Sequence, residues 1–555
     1  MPQTITQELF SSLLTHYYSA WFRFHPEAAV HVGIEGYEDQ LTPFDDENIG
    51  ALISLNQKII SSLEELNTDE LSAAQQIDFT VLYNAASIEL HELLERDWRF
   101  FSPQKFLPLE AIHQLIQRPI ENVHKALKHR LEAIPDYMRA AKAFLLQTPQ
   151  NIPADWVKDA VISARSGAVY FRSLMHDARV LRAFQNPGRL QPLCDSAATA
   201  MEDFEKFLNH DLLPKAEGDF ACGKDHFSQL LNNWHELDIS IEQLYAFGDR
   251  LFRETQQALQ NVATELTGES VEEVLDNIRQ QHPSNDSEAL LNTYRTQMQA
   301  AYQFIKKHEL MSVPENQQLK VIETPVFLRH EIPFAAYEEP SYNDEQQQGY
   351  YYVTPVRAEG QLLEHNWTSI DLTCVHEAFP GHHLQFVTAN QNPENSLPRM
   401  LNASATLYEG WALYCEDLMQ EQGFLNKPEH KFIMLRDRLW RALRVMLDVE
   451  LHTRGLDINT AAQRMRDELG FDIDQAKADL SWYSHAPTVP MGYAVGWALI
   501  KALREDEEKK DGFNLKQFHD RLLSVGSCAL PLVIKSRFGE AAWQAVREKV
   551  FPETM

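Results

Sequence analysis

Hydrophobic residues recur at helical spacing along most of this chain. From residue 1 to about 310, apolar positions three or four apart, such as Leu55, Ile59 and Leu63, are separated by short breaks of Pro, Gly or Asn. A similar pattern runs from His430 to Arg454. The patterns predict a succession of amphipathic helices and a mainly α protein.

The pattern changes between residues 326 and 354. The segments 326–328 and 350–354 are rich in β-branched and aromatic residues, and the polar stretch from Ser341 to Gln348 divides them. They predict a small hairpin or sheet. We expect a helical region over 1–320 that continues into a second region over 321–555, which contains this sheet and the candidate metal site. The edge of such a sheet could bind an extended peptide through backbone hydrogen bonds, or the hairpin could simply cover the core.

Composition narrows the class of protein. A chain of 555 residues, 44% of them hydrophobic, can bury a large core. The net charge of −30 argues against nucleic acid or an anionic membrane as partner. The five cysteines form no C-x-x-C pair, which favours reduced thiols. The N-terminus lacks a basic region followed by an apolar core, so we expect no signal peptide and a cytoplasmic location.

The sequence H-E-A-F-P-G-H-H from His376 to His383 suggests a metal site with its own general base. A zinc hydrolase needs imidazole or carboxylate ligands, an open position for water and a carboxylate that deprotonates this water. The preceding segment 367–375 is compatible with a helix that ends at His376 and Glu377. In the common H-E-x-x-H motif the second histidine lies at i+4, whereas here that position is Pro380.

Pro380 and Gly381 should bend or bulge this helix, because proline removes a backbone hydrogen bond and glycine tolerates unusual backbone angles. Two extra residues absorbed in this way would return His382 to the place of the i+4 histidine. We therefore favour His382 as the ligand over His383, which stays the alternative. Most of the 22 histidines of this chain need no metal, but two adjacent ones beside a Pro-Gly break are a rarer pattern.

A third ligand is suggested by Glu409, which lies in the apolar helical segment 403–414. A carboxylate buried there without a partner would be costly, and a metal ion would remove that cost. Glu416, at i+7, shares this helix face. It could accept a hydrogen bond from a ligand histidine, or it could be a solvated acid beside Asp417.

Three further positions are candidates for supporting roles. Asp448 and His452, four apart on the predicted helix 430–454, could support a ligand, although a surface i,i+4 pair is the simpler interpretation. The block 482–493 is loop-like by its prolines and glycine. Within it, Tyr493 is the first choice and His485 the second for a donor that stabilises negative charge on a carbonyl oxygen, and either residue could instead be a packing residue.

With these motifs in place, the chain resembles the bacterial domain-of-unknown-function family 885. The resemblance rests on H-E-x-x-P-G-H-H-L-Q at 376–385 and E-G-W-A-L-Y at 409–414, with F-H-P-E-A-A at 24–29, G-Y-Y-Y-V at 349–353 and the block from Pro487 to Tyr493. It implies a large two-lobed helical fold with a central groove and a small sheet near the site. Such a fold is similar to angiotensin-converting enzyme, thimet oligopeptidase and the thermostable carboxypeptidase type.

These proteins are zinc peptidases with a His, His, Glu ligand set. The resemblance implies one Zn²⁺ per chain held by His376, His382 and Glu409, with Glu377 as base. This sequence departs from its relatives at two places that bear on substrate specificity. It has Trp482-Tyr483 where they usually show Arg-Tyr, and 487–489 reads Pro-Thr-Val instead of Pro-Gly-Gln.

The resulting hypothesis is a zinc-dependent hydrolase of peptide or small amide bonds, with an exo- or dipeptidase favoured over an endopeptidase. Two alternatives stay open at this stage. One is a non-catalytic helical binding protein derived from a peptidase, and the other is a hydrolase of a specialised non-peptide amide or ester. The oligomeric state has no signal in the sequence.

Overall fold

A computed structural model describes residues 4–184, 186–267, 270–283, 286–330, 332, 334–356 and 363–553. The chain forms two compact units. The first comprises the chain up to Phe220 with the segments Pro325–His330 and Ser341–Glu345. The second comprises Ala221–Thr324, Glu331–Pro340 and the chain from Gln346 onward.

The first unit is built from helices joined by short 3₁₀ turns. Its α-helices are α1 (Ile5–Trp21), α2 (Pro26–Val32), α3 (Asp46–Glu64), α4 (Ala73–Glu95), α5 (Leu109–Gln117), α6 (Val123–Leu145), α7 (Ala154–Ser173), α8 (Ala178–Ala183) and α9 (Pro187–Phe207).

Side-chain caps and apolar faces explain these helices. Thr4 and Ser72 begin α1 and α4 with capping boxes. In each, the hydroxyl accepts the N–H of the third helical residue, a glutamine, and the glutamine side chain accepts the backbone N–H of the capping residue. The core of this unit forms between α5, α6, α7 and α9, around fully buried residues such as Leu127, Ile134 and Phe171.

The second unit contains the helices that carry the predicted motifs. Its α-helices are α10 (Lys224–Gln229), α11 (Ile241–Thr267), α12 (Val271–Arg279), α13 (Ser287–Lys307), α14 (Trp367–Glu377), α15 (His382–Asn390), α16 (Leu397–Leu401), α17 (Ala405–Glu421), α18 (Pro428–Thr453), α19 (Ile458–Leu469), α20 (Ile473–His485), α21 (Gly492–Glu507), α22 (Leu515–Leu522), α23 (Leu530–Phe538) and α24 (Glu540–Val550). The mainly α prediction is confirmed, as are the helix before Glu377 and the helix over 430–454.

A three-stranded sheet belongs to the second unit. Its strands are β1 (Gln318–Glu323), β2 (Ala335–Glu338) and β3 (Gln348–Val353), in the order β1-β3-β2. β1 pairs with β3 in parallel and β2 pairs with it antiparallel, so that Tyr351 lies opposite both Val321 and Tyr337.

The sheet differs from the predicted one in two respects. The apolar segment Val326–Leu328 is a 3₁₀ turn after Pro325, and β1 contributes a strand that the sequence pattern did not indicate. The periodicity of a short apolar run does not by itself distinguish a strand from a helical turn, so the segment 326–328 was predicted incorrectly.

The sheet and the helix of the H-E motif share one core. Tyr351 of β3 and Val321 of β1 pack with Tyr294 of α13 and with Ile370 and Cys374 of α14. All five cysteines are buried free thiols. Cys374 therefore acts as a packing residue, and burial raises its pKa well above the usual range.

Candidate metal centre

The break after α14 brings its last turn against the first turn of α15. Gly381 donates its N–H to the carbonyl oxygen of Val375 at 3.0 Å. A Cβ atom at position 381 would lie 1.8 Å from the carbonyl oxygen of His376, so that only glycine fits this approach. The Phe379–Pro380 peptide bond is cis. Because α14 ends at Glu377 and His382 begins the next helix, the break that Pro380 and Gly381 predict is present.

Two glycines bring α17 and α21 into direct backbone contact. A Cβ on Gly410 would lie 2.4 Å from the Cα of Gly496, and a Cβ on Gly496 would lie 1.9 Å from the carbonyl oxygen of Thr406. The indole N–H of Trp411, in the E-G-W motif, donates to the carbonyl oxygen of Pro380 at 2.8 Å. This contact ties α17 to the break between α14 and α15.

These elements place His376, His382 and Glu409 together. One ligand atom from each lies within 4.8 Å of the others, and all three residues are buried. Oε2 of Glu409 lies 3.5 Å from Nε2 of His376 and 3.3 Å from Nε2 of His382. The two imidazole rings stand nearly perpendicular, with centroids 4.9 Å apart. Within the described part of the chain, this Oε2 atom is buried and has no hydrogen-bond partner.

Glu416 supports one of the two histidines. Its Oε1 atom accepts the Nδ1–H of His376 at 2.8 Å, which leaves Nε2 directed at Glu409. Glu416 is buried, so its interpretation as a solvated acid is wrong, and the adjacent Asp417 is buried as well. The charge of Asp417 is balanced by Arg438 at 2.6 Å and Lys501 at 3.0 Å.

His383 occupies a different environment from His382. Its Nε2–H donates to Oε1 of Gln317 at 2.8 Å, and its Nδ1 lies 3.1 Å from the hydroxyl of Tyr337. Burial lowers the pKa of His383 to about 3, which keeps the ring neutral. Both ring nitrogens of His383 are used by these contacts, and the structure places His382 in the cluster.

The charges of the cluster shift the pKa of each member. Burial lowers the pKa of His376, but the nearby carboxylates of Glu409 and Glu416 outweigh it and raise this pKa to about 10. Burial raises the pKa of Glu409, but His382 and His376 outweigh it and hold the pKa well below the usual range. Glu377, which is partly exposed, has a raised pKa because desolvation exceeds the effect of the two histidines.

Tyr493 lies beside this cluster. It is the second residue of α21, and its ring stacks on that of His376 with centroids 6.3 Å apart and planes 16° apart. Burial raises the pKa of its hydroxyl, and the Glu409 carboxylate raises this pKa further. His485 is the last residue of α20 and is not among the residues of the metal-donor cluster. The prediction of a loop over 482–493 is therefore wrong at both ends, which are helical.

The loop between α20 and α21 is held by residues that the sequence did not single out. Thr488 has a φ of 67°, a conformation that favours glycine. Its hydroxyl lies 3.0 Å from Nε2 of His235, whose Nδ1 lies 2.9 Å from the hydroxyl of Ser404, the N-cap of α17. The buried ring of His235 therefore links this loop to the helix of Glu409. No local sequence pattern marks this histidine.

Asp448 also holds the loop, and it accepts the N–H of Thr488 at 3.2 Å. Nε2 of His452 lies 3.9 Å from Oδ1 of Asp448, and its N–H donates to the carbonyl oxygen of Tyr483 at 3.0 Å. Both residues are fully buried, so the interpretation as a surface pair is wrong. They contact the backbone around the late block instead of a ligand histidine.

Comparison with known proteins agrees with the motifs. The sequence profile of the family described as "Bacterial protein of unknown function (DUF885)" matches residues 26–535. The chain belongs to this family. A search of the curated proteins finds no match.

Two solved structures have the same fold as this family member. One is "a putative lipoprotein of unknown function from Shewanella oneidensis", with a TM-score of 0.74 and 21% identity, covering 94% of this chain and 98% of that one. The other is "the putative lipoprotein from Colwellia psychrerythraea", with a TM-score of 0.78 and 18% identity, covering 99% of this chain and 100% of that one. At these identities the likeness shows the fold alone.

These descriptions correct one prediction. The expected cytoplasmic location is contradicted, because both similar structures are of proteins described with the words "putative lipoprotein". Among the described residues, no helix combines the length and apolar character needed to cross a bilayer.

Proposed function

We propose that this protein is a zinc-dependent hydrolase of peptide or small amide bonds. His376, His382 and Glu409 would hold the ion, and Glu377 would be the general base. The observation that carries the proposal is the position of Oε2 of Glu409 between two imidazole Nε2 atoms, at 3.3 and 3.5 Å.

The donor set fits zinc. Two imidazole nitrogens and one carboxylate oxygen are ligands of catalytic zinc sites. Bonds of about 2.0–2.1 Å in a tetrahedron separate the ligand atoms by roughly 3.3–3.4 Å, close to the two distances around Glu409. A buried carboxylate oxygen without a hydrogen bond is costly, and a cation removes this cost. The bond from His376 to Glu416 is the support that a ligand histidine ordinarily has.

The chain's own residues account for the remaining chemistry. A bound zinc ion would act as a Lewis acid, which lowers the pKa of a bound water and polarises the carbonyl group of the substrate. Glu377 accepts the proton of the attacking water and passes it to the leaving amine. Its raised pKa brings it closer to neutral pH, as proton transfer in both directions requires.

Tyr493 and β2 would bind the substrate around the scissile bond. The Tyr493 hydroxyl keeps its proton because its pKa is raised, so it can donate a hydrogen bond to the carbonyl oxygen as negative charge develops. β2 lies at an edge of the sheet among the described strands. Its Tyr337 ring lies 6.2 Å from the His382 ring, which favours an extended peptide along this edge.

Elemental analysis of protein purified without chelator tests the metal. We expect about one zinc per chain, the stoichiometry of a single catalytic site, and its loss in Glu409→Gln and His382→Ala. His383→Ala is the matched control and should keep the metal. Absence of metal from the wild type, even after zinc addition, would contradict the proposal and favour a binding protein.

A substrate panel tests the reaction. We expect the wild type to cleave peptides or acyl amides and Glu377→Gln to keep zinc but lose most of the turnover, because removal of a general base typically costs about 10²–10⁴-fold. Hydrolysis of esters or non-peptide amides alone would assign the same site to the alternative hydrolase class.

A further inference from the structure

We propose that Arg441 and Arg444 form a binding site for the carboxylate of the substrate, so that the enzyme removes residues from the carboxyl end of short peptides. This inference rests on the proposed function for the reaction and names the substrate class. The carboxylate site itself consists of two arginines of α18 and can be tested without turnover.

The two guanidinium groups lie beside Tyr493. The Cζ atom of Arg444 is 4.8 Å and that of Arg441 is 5.7 Å from the centroid of the Tyr493 ring. The same ring stacks on His376. A single aromatic ring thus lies beside a proposed metal ligand and both arginines.

Arg441 has buried donors without partners. Its side chain is 12% exposed, and its Nε and Nη1 atoms are buried and have no hydrogen-bond acceptor within the described residues. Oδ1 of Asp437 lies 4.0 Å from Nη1, beyond hydrogen-bond distance. Buried guanidinium donors are normally bonded, because leaving them unpaired is costly. An anionic ligand would supply the missing acceptors.

Arg444 is oriented by its neighbours and keeps one donor unpaired. Its Nε–H donates to the Tyr483 hydroxyl at 2.7 Å, and its Nη2 lies 3.3 Å from Oδ1 of Asp479. Its Nη1 atom is buried and has no acceptor in the described part of the chain. The side chain is 6% exposed. These contacts hold the guanidinium plane in place before a ligand binds.

The aromatic surroundings strengthen the attraction for an anion. The Cζ atoms of Arg441 and Arg444 lie 4.3 and 4.0 Å from the Trp440 ring, and that of Arg444 lies 5.4 Å from the Trp482 ring. Apolar rings exclude water, which strengthens electrostatic interactions. A carboxylate matches the planar donor fork of arginine and can accept two parallel hydrogen bonds.

The distances limit how far the carboxylate lies from the scissile bond. The centroid of the Tyr493 ring lies 6.3 Å from that of His376 and 4.8 Å from Cζ of Arg444. Cζ of Arg444 therefore lies at most about 11 Å from the centroid of the His376 ring. An extended peptide spans at most about 3.3–3.6 Å per residue. The free carboxylate therefore lies within about three residues of the bond that is cut. The substrate class is peptides or acyl amino acids that lose one to three residues from the carboxyl end.

Binding to the Glu377→Gln protein tests this inference without turnover. The probe is a library of N-acetylated tripeptides with a free carboxyl end, compared with the same library as carboxyl-terminal amides. We expect the acid library to bind about 10- to 100-fold more tightly, the range for a hydrogen bond to a charged group. Arg441→Gln in the same background should bring the two affinities within about 2-fold of each other, mainly by weakening binding of the acids.

Two further variants make the result specific. Arg441→Lys keeps the charge but loses the fork, so it should keep part of the preference for acids. Arg436→Gln is the matched control, because Arg436 lies on the same helix, is 13% exposed and packs on the Phe471 ring. It should leave the preference unchanged. Equal binding of acids and amides by the Glu377→Gln protein, or a preference that survives Arg441→Gln, would overturn the inference.

The outcome is separable from that of the proposed function. Suppose that the protein binds no zinc and hydrolyses nothing, but prefers acids over amides and loses this preference in Arg441→Gln. This result supports the carboxylate site and contradicts the hydrolase. Hydrolysis of amides and acids at equal rates supports the hydrolase and overturns the carboxylate site.

Discussion

Nδ1 of His376 lies 2.8 Å from Oε1 of Glu416, two helical turns after Glu409 on the same face of α17. One helix therefore contributes both a proposed ligand and the acceptor that orients another. This arrangement orients the ring of His376 with Nε2 directed at Glu409.

Glu416→Gln should weaken zinc binding without abolishing it. The amide is nearly isosteric but lacks the charge that favours the Nδ1–H tautomer of His376, and loss of such a partner typically costs about 10- to 100-fold in metal affinity. Competition with a chromophoric chelator measures this. Glu421→Gln on the same helix is the control, because Glu421 pairs with Arg504 instead. Unchanged affinity in Glu416→Gln would contradict the role of this residue.

Gly381→Ala should be severely destabilising. The added Cβ would lie 1.8 Å from the carbonyl oxygen of His376, so the end of α14 and the start of α15 must separate. We expect a loss of more than about 3 kcal/mol in the free energy of unfolding, above the range of most point mutations. Urea denaturation measures it. Gly50→Ala, in α3 with open space around the added atom, should be neutral or stabilising. A small loss in Gly381→Ala would show that this approach is not required.

Asp448→Asn should stabilise the protein at neutral pH. Burial raises the pKa of Asp448 well above its usual value, so the folded state prefers the protonated form. The stability that this form contributes is complete below the unfolded pKa of about 3.9 and is lost as pH rises through the folded pKa. The amide mimics the protonated acid and accepts the Thr488 N–H in the same way.

The gain from Asp448→Asn should be near zero at pH 3.5 and on the order of 1 kcal/mol at pH 7, the scale of one pKa unit. Unfolding curves at the two pH values measure it. Asp467→Asn, an exposed acid on α19, should change stability little at either pH. A gain of equal size at both pH values would contradict the assignment of a protonated Asp448.

Mild acid should destabilise the second unit. Burial lowers the pKa of His235 and His383 to about 3, and that of His365 and His519 to about 4. Their stabilising contribution is complete above the unfolded pKa of about 6.5 and is lost as pH falls below it, by up to about 1.4 kcal/mol per pH unit for each ring.

The dependence of unfolding free energy on pH between 6 and 4.5 measures this effect. His235→Gln should reduce the slope by the equivalent of about one proton. An identical slope in the variant would show that His235 is not neutral in the folded protein.

The sequence by itself determined the helical class of the protein and the chemistry of its candidate site. Periodicity of apolar residues is a local property, so the helices that carry His376 and the segment 428–453 were predictable. The Pro-Gly break was predictable for the same reason, since the backbone limits of Pro380 and Gly381 are intrinsic to these residues. The buried acid Glu409 was found because its apolar context is visible in the sequence.

Only the tertiary structure decided which groups meet. The choice between His382 and His383 depends on contacts with Gln317 and Tyr337, which are distant in sequence. The link from His235 to Thr488 spans 253 positions and leaves no local pattern. β1 was missed because its pairing with β3 is non-local. Spacing along a chain controls which residues share a face of one helix, whereas packing between elements controls which faces come together.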